Sequence, residues 1–342
     1  MTALAGAERL EDLKSLVTSA DRFLTVALAA ASGRADARAH FEAEWKSARQ
    51  RVSGDWAGDE LTELDDVVAD LHHGDGEAVV LVHARKGVTL VEWLQEPIIA
   101  TTVSEGPLPT LATVIEGRQR VIAHVVVETD RAGADVTAFD GGTVLTTETI
   151  DGSTEHIHRG HFSGWSQRRF QQRAENTWER NANEVADAVA ATARAVDARL
   201  VAVAGDVRAQ TFVLESLPAD VADKSVKIEA GSPAGIADEV VRLLSSIVAE
   251  RVTELADRVR DRLPHGTASV DPAEVMAALA EGRVETLLVH DDGSGHAENP
   301  VDQVEPRLVD QAVAAALSTD AEIVVVPHLA MMNGPLMAVM RW

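Results

Sequence analysis

The chain has 342 residues, with 31 Lys and Arg against 55 Asp and Glu, for a formal net charge of −24. A charge of that size repels phosphate at long range, so broad non-specific nucleic-acid binding is excluded and only local, shaped contacts remain. There is no cysteine, which excludes disulfides, thiolate catalysis and cysteine-ligated zinc. The 46% apolar and 25% charged content is that of a soluble folded protein, and the length implies two or three domains. The opening MTALAGAERLEDLKSL is acidic where a signal peptide is basic, and no apolar run approaches the roughly 18–20 residues of a bilayer span. A cytoplasmic protein without a membrane partner is expected.

In chain order, residues 7–20 predict a helix and FLTVALAA (23–30) an apolar strand. Residues 35–52 are amphipathic at helical spacing, with Phe41, Trp45, Ala48 and Val52 on one face, and 61–74 predicts a second helix closed by Gly74. EAVVLVHA and GVTLVEWL alternate as two strands around a short turn at Arg85-Lys86-Gly87. Pro97, Pro107 and Pro109 mark an extended passage before a short helix at 108–117.

A second segment opens at 118, where Val121, Ala123, Val125 and Val127 form a period-two face. Turns at 131–133 and Gly141-Gly142 separate further strands up to about 150. A long helix is predicted from about Arg168 to Asp197, its apolar stripe being Phe170, Ala174, Trp178, Ala182, Val185, Val189, Ala193 and Val196. LVAVAG (200–205) and RAQTFVLESL (208–217) read as returning strands.

The last segment predicts a helix at 236–263 ending at Pro264. A second helix follows at 271–282, with Asp271 as its cap, Pro272 in its first turn and Gly282 at its end. Strand 284–290, the polar loop DDGSGHAENP, helix 305–318, strand 321–327 and the terminal strand PLMAVMRW complete the chain. Helices alternate with short buried strands throughout, so the fold class is α/β. The expected domains are 1–117, 118–217 and 218–342.

One stretch departs from the charge of the whole. Residues 156–180, HIHRGHFSGWSQRRFQQRAENTWER, hold five arginines against two glutamates, a net of +3 where the remaining residues carry −27. Aromatic side chains among arginines suit stacking on a splayed base with phosphate neutralised beside it. A purely structural alternative has Phe162 and Trp165 folding back onto their own domain and the arginines forming a solvated face. His156, His158 and His161 have no cysteine near them and only Asp151 and Glu155 as nearby carboxylates, so no metal is expected there. Gly293-Ser294-Gly295 has no following lysine or threonine to hold a nucleotide phosphate, and no cofactor is expected.

VIAHVVVETDRAGADVTAF, an intervening polar loop, and GWSQRRFQQRAENTWERNANEVADAVA together resemble the central domain of archaeal and eukaryotic release factor one and Pelota. MAALAEGRVETLLVHDD (276–292) and NGPLMAVMRW (333–342) resemble that family's C-terminal domain, an L7Ae-like α/β/α sandwich. VEWLQEP (91–97) and the short helix after it are consistent with its N-terminal domain. Bacterial relatives of this kind include release-factor-like proteins and Balon-type ribosome hibernation factors. The resemblance implies three domains, an N-terminal α/β domain, a central one bearing a tip loop at 156–170 and a long helix, and the C-terminal sandwich. It also implies docking in the ribosomal A site, with the tip reaching large-subunit rRNA at the peptidyl transferase centre.

Two departures shape that expectation. The sequence reads Gly164-Trp165-Ser166-Gln167 rather than Gly-Gly-Gln, so with Arg169-Phe170 aligned, Trp165 falls at the catalytic glutamine and Gln167 two positions later. Neither stop-codon motif of the family is present, and the chain has no tyrosine or cysteine. The expected function is therefore a codon-independent ribosome-binding factor of the hibernation or stress type. The alternative is a peptidyl-tRNA hydrolase or rescue release factor using Gln167, since a related group of such hydrolases carries a displaced Gly-x-x-Gln. The expected RNA-binding residues are His158, Arg159, His161, Gly164, Trp165, Ser166, Gln167, Arg168, Arg169 and Arg173. A translational GTPase is the further partner the resemblance implies, through the C-terminal domain, where Asp291, Asp292, His296 and Glu298 are candidates for contact or simply a polar loop.

Overall fold

The computed structural model describes residues 10–30, 36–54, 56, 58–71, 76–130, 133–151, 165–292 and 306–342; the side chains of 165–179 lie outside that description. The chain divides into two compact units, one made of residues 1–119 with 250–342, the other of 120–249.

The first unit begins with α1 (Glu11–Val17), β1 (Phe23–Ala29), α2 (Ala37–Arg51), α3 (Gly58–Asp70), β2 (Ala78–Ala84), β3 (Gly87–Leu94), β4 (Thr102–Gly106) and α4 (Ala112–Arg120). The strands form an antiparallel sheet in the order β3-β2-β1-β4. β1 and β2 are the apolar runs of the sequence, and both faces are covered. On one face Leu24, Val26, Val79 and Leu81 pack with Phe41, Trp45 and Leu64 of α2 and α3.

The second unit contains β5 (Ala123–Thr129), β6 (Gly133–Asp140), β7 (Thr143–Asp151), α5 (Trp165–Ala195), β8 (Leu200–Gly205), α6 (Val207–Ser216), α7 (Ala219–Ala222), β9 (Ser225–Lys227) and the first part of α8 (Pro233–Arg262). Its sheet runs β7-β6-β5-β8-β9, with β5, β8 and β9 parallel and β6 and β7 antiparallel. α5 and α6 cover one face through Ala182, Val185, Val189, Ala193 and Val213, against Val125, Val127, Val201 and Val203. Ile236 and Val240 of α8 cover the other face over Ala202 and Ala204. The predicted stripe of the long helix is buried from Ala182 to Ala193, and Val196 is half-buried. Phe170, Ala174 and Trp178 lie outside the described side chains.

One expectation is corrected in this unit. RAQTFVLESL is a helix, α6, not a strand. The Asp206 carboxylate caps it, accepting the backbone N–H of Arg208 and Ala209 at 3.1 and 3.2 Å, and the buried residues Ala209, Gln210 and Val213 recur at helical spacing. The sheet also takes a further strand, β9, from beyond residue 217.

The first unit resumes with the rest of α8, then β10 (Ala268–Ser269), α9 (Pro272–Ala280), β11 (Val284–Val289), α10 (Leu308–Ser318), β12 (Glu322–Val325) and β13 (Leu336–Met340). The sheet order is β10-β13-β11-β12, with β11 and β12 parallel. Val252, Leu255 and Val259 of α8 pack on one face, α9 and α10 on the other, which is the expected α/β/α sandwich. Asp271 caps α9 as predicted, accepting from Ala273 and Glu274. This sheet and the N-terminal one share a core: Leu13, Phe23, Val80, Leu111 and Ile115 lie in one apolar cluster with Leu279, Val309, Val313 and Leu336. That shared core joins the N-terminal and C-terminal segments in one compact unit.

Candidate nucleic-acid interface

The expected interface lies where the chain leaves β7 at Asp151 and enters α5 at Trp165. His158, Arg159, His161 and Gly164 fall outside the described residues. Trp165, Ser166, Gln167, Arg168, Arg169 and Arg173 form the opening turns of α5, whose backbone is helical from Trp165, three residues earlier than predicted. From Trp165 to Ala195 there is no glycine or proline to interrupt the helix. The diagnostic Gln167 therefore belongs to a first helical turn and not to a loop. That turn contains no acidic residue, so the positive end of the helix dipole and the charges of Arg168 and Arg169 are of one sign, a combination suited to anions.

The packing of α5 fixes how its second half lies on the sheet. The C-terminal end of α5 is beside the start of β5, since Ala198 N–H donates to the Ala193 carbonyl and Arg199 N–H to the Ala123 carbonyl, both at 2.8 Å. Asn181 and Ala182 line a shallow cleft with Thr129, Asp130 and Gly133, at the opposite end of the same strand. The half of the helix from Asn181 onward thus spans the sheet. The sixteen residues before Asn181 are further turns of the same helix, about 24 Å of it at about 1.5 Å per residue.

The sheet end at this cleft is closely built. Gly205, at the end of β8, has φ +113°, and a Cβ there would sit 1.9 Å from the Thr129 carbonyl oxygen. The next residue, Asp206, donates its N–H to that same carbonyl at 2.9 Å before capping α6. The Gln210 amide donates to the carbonyls of Gly205 (3.1 Å) and Ile228 (3.0 Å), holding the ends of β8 and β9 together. Arg208 and Arg180 are exposed near this end, Arg208 lining the cleft with Asn181. Sequence reasoning missed Arg208 because its segment read as a strand; the spacing of Ala209, Gln210 and Val213 was the available signal.

Elsewhere, Asp291 is held by an ion pair with Arg307. Asp292 is exposed, and His296 and Glu298 lie outside the described residues. No cluster of three metal-ligating side chains occurs among the described residues, and no helix among them is long and apolar enough to cross a membrane.

The family model described as bacterial archaeo-eukaryotic release factor family 2 matches residues 123–265, from the start of β5 to just past α8. The proteins Rv2629 and MT2704 of two Mycobacterium tuberculosis strains, each called uncharacterized, are 30% identical to the chain over 296 residues, covering 83% of it and 79% of theirs. The chain belongs to the bacterial archaeo-eukaryotic release factor family. Among solved structures, it is similar to an archaeal translation termination factor, aRF1, at 18% identity, 98% coverage of both chains and a TM-score of 0.26. An archaeal Pelota, from a model of ribosome-bound Pelota and ABCE1, is 14% identical, with 100% of this chain and 95% of that one covered and a TM-score of 0.43. Dom34 of S. cerevisiae, described as a translation termination-like factor interacting with Hbs1, is 11% identical, with 80% and 75% covered and a TM-score of 0.43.

Proposed function

We propose that this protein is a codon-independent ribosome-binding factor that enters the A site and lays the head of α5 against large-subunit rRNA, acting in hibernation or stress. The observation that carries the reading is the basic, aromatic opening of the long helix α5 in a protein whose overall charge is −24. The long-range field disfavours RNA in general, so binding rests on a few arginine–phosphate contacts and on stacking at Trp165. Membership of a release-factor family supports the ribosome as the source of that RNA. A translational GTPase is the partner we assign to the C-terminal sheet, from the resemblance of that segment.

Co-sedimentation with ribosomes at increasing salt tests the reading. Replacing Arg168, Arg169 and Arg173 together with glutamine is expected to abolish pelleting at physiological salt and to reduce the salt dependence by roughly two to three counterions. Wild-type protein left wholly in the supernatant, with idle and with translating ribosomes alike, would contradict it. Hydrolysis of peptidyl-tRNA is the separate reading in which the Gln167 amide orients water or an oxyanion. It predicts peptide release from stalled complexes that Gln167→Ala abolishes, and full release by that variant would sink it.

A further inference from the structure

The three sheets end in six edge strands, and most of those edges are covered or short. The edge of β12 is closed by the Gln119 side chain, whose amide donates to the Val325 carbonyl at 2.7 Å and accepts the Val325 N–H at 3.0 Å. At the β3 edge the Val88 N–H donates to the Glu63 carboxylate at 3.0 Å. β9 and β10 have three and two residues, and β4 has five. β7 is different. It has nine residues, every one exposed except half-buried Ile150, and β6 is its only strand partner among the described residues. It contains no lysine and no proline, the residues that usually blunt such an edge, and Val144 and Leu145 are 55% and 51% exposed. The three strands at this side of the sheet carry Glu128, Asp135, Asp140, Glu148 and Asp151 and no Lys or Arg.

We propose that β7 is a docking edge for an extended, Lys- and Arg-bearing polypeptide segment that adds to the sheet as a further strand. Among the described residues no second strand pairs with β7, so its main-chain edge supplies hydrogen bonds to an extended chain, and the acidic strands select a cationic one. RNA is disfavoured because phosphate meets carboxylates there. A second copy is disfavoured because it would oppose one acidic edge to another. The inference stands apart from the RNA reading, since it uses β7 and not the head of α5.

The test is hydrogen exchange of the full chain at physiological salt, with a ten-residue peptide alternating lysine and valine as the probe. Exchange across 143–151 is expected to slow on binding. The double variant Glu148→Lys with Asp151→Lys is expected to bind about tenfold more weakly, the loss of two exposed charge pairs. The same charge change at exposed Asp66 and Asp70 of α3 is expected to leave binding unaltered. A Glu148→Gln, Asp151→Asn variant, expected to weaken binding in the same direction, replaces the lysine variant if the latter melts early. Unchanged exchange in β7 at saturating peptide, or equal loss in the α3 control, overturns the proposal. So does protection of β7 by a glutamate–valine peptide, by single-stranded RNA, or by raised protein concentration alone.

Discussion

Gly205 illustrates how one residue fixes the junction of β8 and α6. Its left-handed backbone lets β8 turn into α6 while passing against the Thr129 carbonyl, where a Cβ would lie at 1.9 Å. Gly205→Ala cannot be absorbed by a side-chain movement because the obstacle is backbone, and it is expected to destabilise the protein by roughly 2–4 kcal/mol in urea unfolding. Asp310, on α10, is a second informative residue. It is 3% exposed; its carboxylate accepts from the Thr110 hydroxyl at 3.4 Å, and its other oxygen lies 3.7 Å from the Arg307 guanidinium, which also pairs with Asp291. Burial pushes its carboxyl up to about 7, Arg307 opposing and the Asp291 carboxylate adding to the rise. A carboxyl raised above its unfolded value holds a proton in the folded state that the unfolded chain releases. Its contribution is therefore fully present below about pH 4 and lost as pH rises through about 7. Relative to wild type, Asp310→Asn is expected to gain roughly 2–3 kcal/mol between pH 5 and 7 in denaturant unfolding. A parallel pH dependence of the two proteins would contradict that assignment.

At the scale of elements, the sequence was most readable where one force acts alone. β1, β2, β11 and the packed half of α5 are apolar runs or stripes whose period decides their structure, and each is where the spacing predicts it. α6 was misread, because Thr211, Phe212 and Val213 favour strand and outweighed the Asp206 cap and the helical spacing of Ala209, Gln210 and Val213. β9 could not be seen at all: three residues are too few to carry a period, and only pairing with β8 defines them. In the interface, composition located the arginines, whereas the first turn of α5 at Trp165 depended on helix continuity that no single residue signals. The Gln119 clamp was equally hidden, since its partner is the main chain of a strand about 200 residues away. Gln119→Ala leaves a buried N–H and a carbonyl of Val325 unpaired and is expected to cost roughly 2–3 kcal/mol, measured by thermal unfolding.

For the whole molecule, charge and topology make one arrangement intelligible. The chain carries −24, yet the middle unit, continuous in sequence, gathers arginines at the start of its longest helix. General repulsion from polyanions together with a small basic contact favours recognition by position and shape over accumulation on any RNA. The absence of cysteine makes the position directly measurable, because one introduced thiol is unique. Ser166→Cys, carrying an iron chelate that generates hydroxyl radicals, reports which rRNA lies beside the first turn of α5. The prediction is cleavage of large-subunit rRNA around the peptidyl transferase centre, absent when the same probe is placed at Asp66. No cleavage of ribosomes that demonstrably bind the protein, or cleavage confined to rRNA remote from that centre, would contradict the proposed placement.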